Sequence, residues 1–188
     1  MRFIIGLLIA IGLIVLVFVL ILKSFGSHNT SPNIPQPLTS YSSTNTQVEM
    51  TITGPIVNDQ NYQSVQVIVG QSQAQINVLQ GYLGTVTTTK SYPNNQTAYL
   101  YFLSALENAG YTDGTSNARP NSILGLCPFG EHYQLEVNKG SSTVQNYWAD
   151  SCNDKAETFK GNINSVIQLF TNQIPEYSQI TQNITFVQ

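Results

Sequence analysis

Cys127 and Cys152 are the only two cysteines of the chain, and their places in the sequence carry its clearest chemical signal. Tyr133, Leu135 and Val137 alternate with polar residues directly after the first cysteine. Val144 to Trp148 stands before the second, with turn formers Asn138 to Ser141 between. That pattern predicts a β-hairpin, and antiparallel pairing brings the two cysteines together at its mouth. Paired strand ends supply the roughly 4.4–6.8 Å Cα separation that a disulfide needs. Closing the intervening loop of about 25 residues would stabilise the fold by roughly 3.5 kcal/mol on chain-entropy grounds. A metal is the rival use of these sulfurs. Cys127, His132 and Cys152 make at most three ligands at irregular spacing, which fits no zinc motif. A nucleophilic thiol needs a base and an activating environment, and no recognisable pair supplies them.

Beside the cysteines, Glu131-His132 is the one cluster that resembles a site, and Glu136 and Asp150 fall near it on the same hairpin. Tyr147 and Trp148 on the second strand could add an aromatic binding face. The plainer reading of Glu131-His132 is a polar strand start. Asp150, Asn153 and Asp154 offer oxygens, yet their spacing matches no calcium loop. The chain lacks a glycine-rich phosphate loop, a Gly-x-Ser-x-Gly elbow and a His-Glu-x-x-His zinc motif, so no cofactor is implied. Asn29, Asn95 and Asn183 stand in glycosylation sequons, which matter only in a eukaryotic secretory pathway.

The elements that position these residues can be read along the chain. Val48, Met50 and Ile52 alternate, as do Val65, Val67 and Val69, then Ala74, Ile76 and Val78; a Thr-rich run from Thr85 to Lys90 follows. The connections are too short for crossovers, so these four strands form an antiparallel meander. Pro93-Asn94-Asn95 opens a helix carrying an apolar stripe of Ala98, Tyr101, Phe102, Ala105, Leu106 and Ala109, and Gly110 ends it. After the hairpin a second helix is expected over 157–172 and a last edge strand over 184–187. The expected fold is α+β, in the order β-β-β-β-α-β-β-α-β, with two amphipathic helices covering one face of the sheet.

Ahead of this domain, residues 3–22 form 20 consecutive positions without a charge, hydroxyl or amide side chain. A helix of that length spans the roughly 30 Å hydrocarbon core of a bilayer. The run is longer than the apolar core of a cleaved signal peptide and has no polar face, which favours a retained anchor over residues 1–23. Residues 24–46 bring Pro32, Pro35 and Pro37 among Ser, Thr and Asn, the composition of a solvated stalk. The domain then occupies 47–188. Arg2 and Lys23 balance across the anchor, so the side is argued from the cysteines, which favour an oxidising compartment. The expectation is a plasma-membrane protein with its N-terminus cytoplasmic and its domain extracytoplasmic.

Only 9% of residues are charged, and the net charge is −3. Ser, Thr, Asn and Gln supply 70 residues instead. After the anchor five basic residues face ten acidic ones, and no basic stripe exists to hold nucleic acid.

Several motifs follow one another along the domain: Tyr92-Pro93-Asn94-Asn95, Ala98-Tyr99, Phe102-Leu103, Ala109-Gly110-Tyr111-Thr112, Cys127-Pro128-x-Gly130, Trp148-x-x-x-Cys152 and Gln173-Ile174-Pro175-x-Tyr177. Their arrangement resembles that of uncharacterised single-pass, N-terminally anchored envelope proteins of bacteria with reduced genomes. The resemblance covers most of the domain. It implies a shared fold and a cysteine bridge, and no activity, substrate or catalytic residue.

Taken together, the sequence favours an anchored binding or interaction module of the cell envelope, without catalytic activity and with a protein or glycan partner outside the cell. Two other classes share some of its features. An exported enzyme or protease inhibitor could present the turn-rich loop of residues 112–122. A pilin-like subunit also has an apolar N-terminal helix ahead of a β domain, but the helix here lacks an acidic residue and runs into prolines.

Overall fold

The computed structural model describes residues 37–42, 45–115, 125–153, 155–184 and 186. All of them belong to a compact unit running from Pro37 to Gln188. The expected anchor, and the part of the expected stalk before residue 37, lie outside the described residues. Among the described residues no helix is long and apolar enough to cross a membrane.

The fold is α+β, built on a six-stranded antiparallel sheet. The strands are β1 (Thr46–Thr53), β2 (Gln63–Gly70), β3 (Gln73–Gln80), β4 (Thr85–Pro93), β5 (His132–Lys139) and β6 (Ser142–Asp150). Their order across the sheet is β4-β3-β2-β1-β5-β6. The first four strands form the expected meander, and the β5–β6 hairpin docks on the free side of β1. Thr53 pairs with His132, and Thr46 with Lys139. β1 therefore becomes a central strand, which explains why its inward residues Val48 and Met50 are fully buried.

Strand alternation divides the sheet into two chemically distinct faces. Val48, Met50, Val65, Val67, Ile76 and Leu135 lie on one of them and join a single apolar cluster. That cluster also takes the buried side chains of α1 (Gln96–Asn108) and α2 (Ile163–Thr171). Both helices begin on an asparagine: Asn95 Oδ1 accepts the Ala98 N–H, and Asn162 Oδ1 accepts the Ser165 N–H, each at 3.0 Å. Phe102 of α1 meets Phe170 of α2 edge to face, with centroids 5.3 Å apart.

Four local expectations are corrected. The buried stripe of α1 is Tyr99, Phe102, Leu103 and Leu106, whereas Tyr101 is 72% exposed. Two stripes one residue apart both satisfy helical spacing. The bulkier one faces the core, where the Tyr99 hydroxyl also donates to the Thr46 carbonyl at 3.1 Å. The second helix starts at Ile163, later than expected, because Gly161-Asn162 supplies a break and a cap. The residues before it run extended along β6, where the Thr158 and Phe159 N–H groups both donate to the Trp148 carbonyl. Ile184 and Phe186 carry no strand, while residues 185, 187 and 188 lie outside the description. A short helix, α3 (Tyr177–Thr181), precedes them instead. Finally, Leu38 sits in a 3-10 turn (Leu38–Tyr41) and is fully buried in the core, so the segment read as stalk already contributes to the domain.

Two glycines set how the helices approach. Gly110 takes a φ of 79° after α1, and the Tyr111 N–H reaches back to the Leu106 carbonyl at 3.0 Å. A Cβ on Gly161 would lie 2.4 Å from the Gly110 carbonyl oxygen. The end of α1 and the start of α2 thus touch backbone to backbone, with the Asn162 N–H donating to the Ala109 carbonyl at 2.9 Å.

Candidate binding cleft beside the disulfide

The hairpin mouth is closed by a Cys127–Cys152 disulfide with a Cα separation of 5.9 Å. The bond pins the loop before β5 to the residues after β6. Polar contacts lock the same two segments: Ser151 Oγ accepts the Glu131 N–H at 2.9 Å, and the Ser151 N–H donates to the Glu131 carbonyl at 3.0 Å. Gly130 is required between them, because a Cβ there would lie 2.3 Å from both Cys127 Sγ and Ser151 Oγ. The tight turn turns Phe129 outward, where the ring is 91% exposed.

Against this loop lies the connection between β1 and β2. The Ile56 N–H donates to the Pro128 carbonyl at 2.9 Å. The two loops enclose a cleft of about 360 Å³. Pro55, Val57, Phe129 and Phe186 give it apolar walls; Asn61, Gln63, Glu131 and Ser151 give it polar ones. Phe186 sits over Gly54 so closely that a Cβ on the glycine would fall 2.4 Å from the ring. Among the described residues that line it, Glu131 is the one ionisable side chain and none is Lys or Arg. The Tyr133 hydroxyl donates to the Glu131 carboxylate. Burial, followed by this carboxylate, pushes the Tyr133 phenol well above its ordinary range. Tyr177 is pushed up to about 12, again by burial first and the Glu131 charge second. Both phenols therefore stay neutral.

The apolar surface continues beyond the cleft into the β3–β4 turn. The Tyr82 hydroxyl donates to the Val57 carbonyl at 2.7 Å, and its ring stacks on Tyr62 at 4.1 Å. Asp59 accepts the Tyr82 N–H at 2.8 Å and so fixes the turn. Ile56, Val57, Tyr82, Leu83 and Phe129 are all exposed at this end of the sheet. Their backbones are held by named hydrogen bonds and a disulfide, so the patch is presented on a rigid frame.

The residues singled out in the sequence fall in different places. Glu131 lines the cleft, while His132 is buried and paired in register with Asp150, itself buried. Trp148 is fully buried, and its backbone N–H donates to Thr158 Oγ1 at 2.9 Å. Tyr147 points to the core side of the sheet, packed under Gly114. Glu136 stands on the other face, opposite Glu49. Cys127, Asp150 and Cys152 bring potential ligand atoms within 4.8 Å of one another. Both sulfurs are spent in the disulfide, so this group offers no thiolate to a metal. Asp154 lies outside the described residues.

Phe129, Val57 and Phe186 did not stand out in the sequence. A large aromatic inside Cys-Pro-x-Gly was the usable signal, because a tight turn beside a disulfide leaves its central side chain nowhere to bury.

Fold and site together define a disulfide-closed α+β domain with a preformed, partly apolar cleft at one end of its sheet. The chain matches no protein-family model and no curated protein.

Proposed function

We propose that this protein is a membrane-anchored, extracytoplasmic binding module of the cell envelope, without catalytic activity, that engages its partner through the cleft beside the disulfide. The observation that carries the reading is Phe129, a large aromatic held in solvent at the rim of a rigid cleft. Burying such a side chain on a partner removes apolar area from water at roughly 25 cal/mol per Å². Clefts of a few hundred Å³ with apolar walls and a few fixed polar groups are the usual form of ligand sites. Ser151 Oγ is engaged by a backbone N–H and lies 3.9 Å from Cys127 Sγ, an arrangement suited to holding the loop.

The membrane part of the reading is supported by the 20 apolar residues of 3–22 and by the bridged cysteines, which suit an oxidising compartment. On this reading the chain would be one of the single-pass envelope proteins that its motifs resemble. The cleft lies at the end of the sheet where β1 stops. β1 starts roughly 25 Å away at the eight-residue strand spacing.

Alkaline extraction and protease protection of intact cells test the anchor and its side. The protein should stay with the membrane, and its domain should be digested only from outside. Release into the soluble fraction, or protection of the domain in intact cells, would overturn the localisation. A photo-crosslinking residue at position 129 of the full chain tests the site. It should give discrete adducts that the same residue placed at exposed Tyr101 does not give.

A further inference from the structure

We infer that the partner of the cleft is a polypeptide segment that presents an apolar side chain next to a lysine or arginine. This inference rests on the cleft being the binding site, as proposed above. Three observations select that chemistry. First, among the described lining residues Glu131 is the one ionisable side chain and none is a cation, and the Tyr133 phenol that bonds to it remains neutral. A ligand cation would thus meet an acceptor that no lining cation neutralises. Second, the apolar surface exceeds the cleft. Ile56, Tyr82 and Leu83 extend it along the β1–β2 connection and the β3–β4 turn, and Leu83 is 97% exposed. A sugar filling the cleft would leave these side chains in water, whereas a peptide crossing the cleft covers them. Third, the chain after residue 23 carries ten acidic and five basic residues, so its overall field favours a basic partner.

The geometry assigns separate roles. Phe129 and Val57 take the apolar side chain, Glu131 takes the cation, and Leu83 and Tyr82 contact the flanking residues. Glu131 keeps its orientation through the Tyr133 hydroxyl, so its carboxylate is preorganised.

The test is selection of a random dodecapeptide library on the purified full chain in detergent, with a glycan array probed in parallel. Wild type is compared with Phe129→Ser, Leu83→Ser and Glu131→Gln. These side chains are exposed or at the surface, and thermal melts check that each variant stays folded. Selected peptides should carry Leu, Phe or Met within a few residues of Lys or Arg. Phe129→Ser should abolish their binding, and Leu83→Ser should weaken it. Glu131→Gln should weaken it about three- to tenfold and reduce its salt dependence. Peptides without basic enrichment, or ones that bind Glu131→Gln as well as wild type, would overturn the assigned partner. The cleft would still stand as the site if Phe129→Ser abolished their binding. Glycan binding that depends on Phe129, with no peptide selected, would also overturn the partner and keep the site. If neither library yielded a Phe129-dependent ligand, both the partner and the site would fall.

Discussion

Glu49 and Glu136 stand directly opposite each other on the neighbouring antiparallel strands β1 and β5, on the sheet face turned away from the apolar core. The Asn138 amide lies between them, donating at 3.4 Å to Glu49 and at 3.3 Å to Glu136. Gln66 donates to Glu49 at 2.7 Å and in turn accepts from Asn77 at 2.8 Å. Asn146 donates to Glu136 at 2.8 Å. Like charges directly opposite on a sheet repel, and here neutral amides surround the pair. On the core side, the Tyr111 hydroxyl lies 2.8 Å from the Glu49 carbonyl and 2.9 Å from that of Glu136.

This arrangement makes stability depend on pH. Burial first, and the Glu136 charge in addition, raise the Glu49 carboxyl above its ordinary 4.5, with the Gln66 bond partly offsetting them. The folded state therefore holds the Glu49 proton more tightly than the unfolded chain does. That contribution is fully present below pH 4.5 and is lost as pH rises through the raised value. Glu49→Gln should flatten this fall and melt at a higher temperature than wild type near neutrality. Melting curves from pH 4 to 8 would decide it; a variant with the same slope as wild type would refute the assignment.

Tyr111→Phe should cost about 1 kcal/mol, the worth of a buried hydroxyl bond to backbone carbonyls. For a chain of this size the midpoint should drop by about 2–4 °C. Tyr111→Ala also removes the packing against Phe170 at 5.8 Å and should cost about 3–5 kcal/mol. Chemical denaturation of the three proteins separates the two effects.

Cys127→Ser with Cys152→Ser should lower stability by about 2–4 kcal/mol. It should also loosen the turn that carries Phe129. Limited proteolysis should then cut near residues 125–131 much faster than in the bridged protein. Titration of the unreduced, denatured wild type should find no free thiol.

Gly161→Ala should destabilise by about 1–3 kcal/mol, because its Cβ would meet the Gly110 carbonyl and force α2 away from α1. Gly125→Ala is the control, since a Cβ there meets nothing within 4 Å. A Gly161→Ala protein as stable as the control would mean that the two helix ends do not touch as described.

Much of the architecture was legible in local patterns. Alternation in β1 to β3 and in β5 marked strands, because every second residue must face the core. The Asn94-Asn95 pair and Gly110 bounded α1, since a helix needs a cap and a left-handed exit, and the structure selects Asn95 as the cap. Cys127 and Cys152 were predicted to bridge from their places beside the hairpin alone, and the 5.9 Å separation agrees. Register between neighbouring stripes was not legible: Ala98-Tyr101 and Tyr99-Leu103 fit one helical period equally, and only the sheet beneath selects the bulkier set. Nor was the extended run of Thr158 and Phe159, whose backbone finds its partner on β6. The cleft was least accessible of all. Pro55, Phe129 and Phe186 are far apart in sequence and share no periodicity, so only tertiary contact brings them together. Sequence by itself determined the six strands, the two longer helices, the apolar run and the bridge, which depend on neighbours along the chain. Tertiary structure decided the site, because a surface is made by residues whose separation in sequence says nothing about their distance in space.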